Sequence, residues 1–135
     1  GLERGVTLEF DQLREMLEGK TYILQNYRPK RERDWNHWLA WMCDPVNQKS
    51  FHMKETEAVE GITVLTGFFG MGPRHELFVT TILYQTEVPW EGKAPQFPQN
   101  DYFWPSYVQA MAGHDTVVDA VRHYLKTLRA DWSKT

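Results

Sequence analysis

From position 106 to 132 apolar residues recur at the helical period: Tyr107, Ala110, Val117, Val118, Val121, Tyr124, Leu125 and Leu128. One polar side chain, His114, interrupts that stripe. At about 100° per residue it falls within roughly 20° of Val121, near the middle of the apolar face. Ser106-x-x-Gln109 has the form of a capping box and marks the start of this helix.

Upstream the period changes to two. Residues 51–58, 61–69 and 76–87 alternate and predict three successive strands with short connections, an antiparallel meander. In the second, Ile62, Val64, Thr66 and Phe68 share one face; in the third, Phe78, Ile82 and Tyr84 do. Thr63, Leu65, Phe69, Leu77, Val79 and Leu83 fall on the opposite faces. A sheet with one solvated face alternates more cleanly, so the second face calls for a cover. The candidates are the N-terminal helices, the long loop or a second subunit.

The N-terminal part is less regular. Leu8, Phe10, Leu13, Met16 and Leu17 suggest a short amphipathic helix, with Asp11 as N-cap and Gly19 as its stop. Residues 21–27 are β-prone, and residues 28–33 read as a basic turn or loop. Residues 34–43 suit either a helix or a strand; Trp35, Trp38, Leu39 and Met42 at helical spacing behind Asp34 favour the helix, stopped at Asp44-Pro45. Residues 89–105 read as a long loop with four prolines and five aromatics, Trp90, Phe97, Tyr102, Phe103 and Trp104. Such a loop packs, because a disordered linker is poor in aromatics.

Composition narrows the picture modestly. A chain of 135 residues fits one domain, 1–135. The net charge of −3 argues against a protein whose main work is neutralising phosphates. The single cysteine, Cys43, rules out an internal disulfide and suits a reducing, cytoplasmic setting. No apolar run approaches a membrane span, and no signal peptide is recognisable.

The order of motifs in the second half is distinctive. Residues 62–70 (Ile-Thr-Val-Leu-Thr-Gly-Phe-Phe-Gly) are followed by 77–83 (Leu-Phe-Val-Thr-Thr-Ile-Leu), by Tyr102 and Ser106, and by Ala110-Met111-Ala112-Gly113-His114. Over residues 34–125 this succession resembles a class of small proteins encoded in phages, prophages and other mobile bacterial DNA, integron cassettes included. The resemblance implies an α+β fold and a mobile-element origin, and no activity. The insertion at 88–101 and the extra N-terminal helix depart from the usual short form.

Candidate chemistry is sparse. His114 suits a general base or a switch, but no nucleophile is tied to it; a buried imidazole bonded to the sheet is the simpler expectation. Asp34, His37, His52, His75, His114 and Asp115 lack the compact spacing of a metal motif, so neither metal nor cofactor is expected. Glu55 and Glu57 share a strand face that is more simply solvated. Arg28, Lys30, Arg31 and Arg33 lie beside Tyr27 and Trp35, a mixture that can grip nucleic acid but is usually a solvated loop. Gly67, Gly70 and Gly72 precede a hairpin and not a helix, which favours a turn over a phosphate-cradling loop. The expectation is an α+β domain: an antiparallel sheet of about four strands, a long C-terminal helix on one face and short N-terminal helices. Its expected work is non-enzymatic protein–protein contact, through a second copy or another protein, by way of Trp90, Phe97, Tyr102, Phe103 and Trp104. A small-molecule pocket between these aromatics and the sheet near His114, or an enzyme using His114, are the alternatives; no catalytic residue is assigned.

Overall fold

Alternating and helical stretches sort into a sheet layer and a helix layer in the computed structural model, which describes residues 20–71, 76–85 and 96–133. Strands β1 (Tyr22–Gln25) and β2 (Arg28–Arg31) form a hairpin. Helix α1 (Trp35–Cys43) and a 3₁₀ helix (Pro45–Phe51) follow. Strands β3 (Lys54–Val59), β4 (Ile62–Phe68), β5 (Phe78–Tyr84) and β6 (Asp101–Trp104) make an antiparallel sheet in that order. Helix α2 (Tyr107–Ser133) packs across it. The α+β architecture is the expected one. The amphipathic segment around Leu8–Leu17, with Asp11 and Gly19, lies outside the described residues, as do Gly72, His75 and Trp90.

Three expectations are corrected. The basic stretch 28–33 is no loop: residues 28–31 form β2. Its proline is tolerated for a geometric reason. Glu32 N–H donates to the Thr21 carbonyl at 3.0 Å, which makes Leu24↔Pro29 a non-hydrogen-bonded pair. The Pro29 nitrogen therefore points away from β1, and no ladder bond is lost. Likewise residues 101–104, assigned to the long loop, form β6 against β5. The β3 start also moves, because Phe51 ends the 3₁₀ helix and the strand begins at Lys54.

Asp34 decides the ambiguity of residues 34–43 in favour of a helix. Its carboxylate accepts from Asn36 N–H (3.0 Å) and His37 N–H (3.2 Å). The inward face of α1 holds Trp38 and Trp41, while Leu39 is exposed. Trp38 Nε1 donates to the carbonyls of Gly70 (3.0 Å) and Tyr22 (3.2 Å), tying α1 to the hairpin.

The core lies between the sheet and α2. Ile62, Val64 and Ile82 meet Val117, Val118 and Val121; Phe68 and Phe78 meet Ala110. Gly67 is required by a close approach: a Cβ there would strike the backbone of Phe51. Among the described residues no helix is long and apolar enough to cross a membrane.

Candidate functional site

Each strand of the sheet contributes one polar side chain to a line beneath α2. Thr66 and Thr80 are direct cross-strand partners on β4 and β5. Thr56 on β3 and Trp104 on β6 extend the line diagonally, since their own partners are Val64 and Phe78. His114 descends from α2 into the middle of it and is fully buried.

The distances make a continuous chain. Trp104 Nε1 donates to Thr80 Oγ1 at 2.9 Å. Thr80 Oγ1 lies 2.6 Å from Thr66 Oγ1, which lies 2.7 Å from His114 Nδ1. His114 Nε2 is 2.8 Å from Thr56 Oγ1. An indole can only donate, and each hydroxyl has one proton to give. Every donor from Trp104 to His114 is therefore used when the chain runs one way: Trp104 to Thr80, Thr80 to Thr66, Thr66 to Nδ1, and Nε2–H to Thr56. This assigns the neutral Nε2–H tautomer from the network. No buried side-chain nitrogen or oxygen among the described residues lacks a partner.

Electrostatics favour the same state. Burial holds the His114 pKa below the usual histidine value, Lys54 pushes it further down, and Asp115 opposes them. Lys54 Nζ donates to Asp115 Oδ1 at 2.8 Å, and this contact lowers the exposed Asp115 carboxyl below its ordinary value. Protonating His114 would make both ring nitrogens donors. Thr66 would then have to donate to Thr80, leaving the Thr80 proton without an acceptor in the chain.

A pH dependence follows. Below the ordinary histidine value of 6.5 the unfolded chain binds a proton that the folded state resists. Stability from this group is thus complete above 6.5 and declines as the pH falls toward the lower folded value. Urea midpoints at about pH 7.5 and about pH 5 should show a loss in the wild type that shrinks in His114→Gln. An equal loss in both would place the acid sensitivity elsewhere.

Close packing completes the site. Gly113 lies against the indole of Trp104, with no room for a Cβ between them. Ser106 Oγ accepts from Gln109 N–H at 3.2 Å and starts α2 where the capping box placed it.

The other candidate residues are dispersed. Tyr102 and Trp104 face α2 and pack against the core, and Phe97 lies 6.1 Å from Tyr84 and 5.3 Å from Tyr124 between ring centroids. Phe103 is half-buried on the sheet face away from α2. The space foreseen for a pocket near His114 is lined by the Trp104 indole and Gly113 in direct contact. Glu55 and Glu57 are exposed on β3 and aligned with Leu65 and Thr63. His37, His52 and Cys43 are exposed and apart; among the described residues no three metal-ligating side chains cluster. Thr56, Thr66 and Thr80 were not singled out by sequence. Their available signal is a threonine at the inward position of three consecutive strands, opposite a helix that carries a histidine. Comparison of the chain with protein-family models, with curated proteins and with solved structures finds no significant match.

Proposed function

We propose that the protein works without catalysis, by contact with another protein, in the first place a second copy of itself. The observation that carries this reading is the sheet face turned away from α2. Leu83 is 42% exposed there and Phe69, just past β4, 48%. Leu65 and Val79 between them are half-buried. Leu65 is aligned with Thr81 and therefore sits diagonally between Val79 and Leu83, which links the apolar side chains across β4 and β5. Contiguous apolar surface on a sheet supports an interface. An isologous contact would let the same patch serve both partners. The candidate for chemistry points the same way, since both nitrogens of His114 are engaged in the core.

The reading extends to a cytoplasmic accessory protein of a mobile element. Its support is the motif order that ends in Ala112-Gly113-His114. Light scattering across a concentration series tests the contact. A dimer is expected, and Leu83→Lys should weaken it at least tenfold by placing an unpaired charge in the interface. A monomer at every concentration would overturn self-association.

A further inference from the structure

The tip of the β1–β2 hairpin has features that the packing does not use. Tyr27 occupies a two-residue turn in which both φ angles are positive, 51° at Asn26 and 63° at Tyr27. Such turns favour glycine at the second position, and a bulky aromatic residue there is uncommon. Tyr27 is nonetheless 61% exposed. It rests on Tyr107 at 4.5 Å between centroids, which steadies it while leaving much of it open.

Cations follow it along the hairpin: Arg28 directly, Lys30 on the same face of β2, and Arg33 past the strand at the open end, beyond the Tyr22↔Arg31 pair. Arg28, Lys30 and Arg33 are exposed. Among the described residues no hydrogen bond or ion pair engages any of these three side chains. The adjoining carboxylates are turned elsewhere: Glu32 accepts from Asp34 N–H at 3.1 Å, and Asp34 caps α1. Arg31 is used structurally, over the Tyr22 ring at 5.3 Å. Beside the turn lies an open concavity of about 660 Å³, lined by Gln25, Asn26, Arg28, Pro29, Lys30 and Arg31. Its side chains offer amide and cationic donors and no carboxylate. A solvated loop would explain free charges, but Arg28 and Lys30 stand on a paired strand that fixes their backbone positions on one face.

We propose that this hairpin is a contact site for single-stranded nucleic acid, with Tyr27 at its tip stacking on a base, Arg28 and Lys30 along β2 neutralising phosphates, and Arg33 past the open end extending the track. Every base has a π-face, so a supported aromatic ring beside free cations suits a single strand without sequence preference. A duplex keeps its base faces stacked and offers the ring no partner. An acidic polypeptide would use the cations and leave the strained, exposed ring unexplained. The net charge of −3 makes the interaction local and salt-sensitive, not a property of the whole surface.

Fluorescence anisotropy with a labelled oligothymidylate of about twelve nucleotides tests this, using the full chain at low salt. Binding is expected to weaken with salt. The double variant Arg28→Glu/Lys30→Glu should reduce it at least tenfold and flatten the slope of log affinity against log salt by about 1.4. Tyr27→Gly relieves the turn, so its melting temperature should hold while its binding falls several-fold. Absence of oligonucleotide binding would overturn the proposal. So would binding indifferent to the double variant, or equal binding of polyglutamate, which would assign the site to acidic peptides.

Discussion

Replacing His114 by alanine is expected to lower the unfolding free energy by about 3 kcal/mol, a large share of the stability of a small domain. Two effects add. The ring leaves a cavity in a close-packed layer. It also removes the acceptor at the end of a directed chain. Thr66 and Thr80 are both fully buried. If Thr66 turns its proton to Thr80, the Thr80 proton has nowhere to go; if it does not, its own proton is stranded. Only Thr56, half-buried at the end of the line, can turn to water. Thr66→Val disrupts the same chain, so His114→Ala and Thr66→Val together should cost less than the sum of the single changes. Urea unfolding of the four proteins measures this. A single-variant loss under about 0.5 kcal/mol would mean that the imidazole does not bear on the fold.

The histidine was legible because it breaks an apolar helix stripe, and its burial follows from that position alone. Its partners were harder to read. A threonine is common on both faces of a strand, and Thr66 and Thr80 become a pair only when β4 and β5 are placed in register. The long helix, the meander and the α1 cap were visible because each rests on local signals: period, turn residues and Asp34. β6 was hidden because it is four residues long and follows a proline-rich stretch. Its pairing is bought by β5 rather than announced by its own alternation. The basic strand was hidden by Pro29, which reads as a breaker until the hairpin register turns its nitrogen outward. The aromatics of residues 97–104 were rightly expected to pack. Their division between the core and the far face depends on the strand that was missed.

Gly113→Ala is expected to destabilise the protein by about 2 kcal/mol, although alanine is the better helix former by about 1 kcal/mol. In a free helix the substitution would therefore be favourable, and the sign of the measured change separates propensity from packing. The reason lies across the layer. A Cβ on residue 113 would fall within the van der Waals envelope of the Trp104 indole, meeting Cζ2, Cη2 and Cε2. The indole cannot simply swing away, because its Nε1–H is held by Thr80 at 2.9 Å and its backbone is paired to Phe78. Either α2 lifts from the sheet or Trp104 releases Thr80. Both routes disturb the His114 chain, which joins the same helix to the same strands. Shortening the obstacle should restore part of the loss: Gly113→Ala in a Trp104→Leu background should cost less than in the wild type, even though Trp104→Leu is itself destabilising. Thermal unfolding of the four proteins gives the comparison. If Gly113→Ala raises the melting temperature with Trp104 intact, the close contact between helix and indole is absent, and His114 loses the packing that holds it over Thr66.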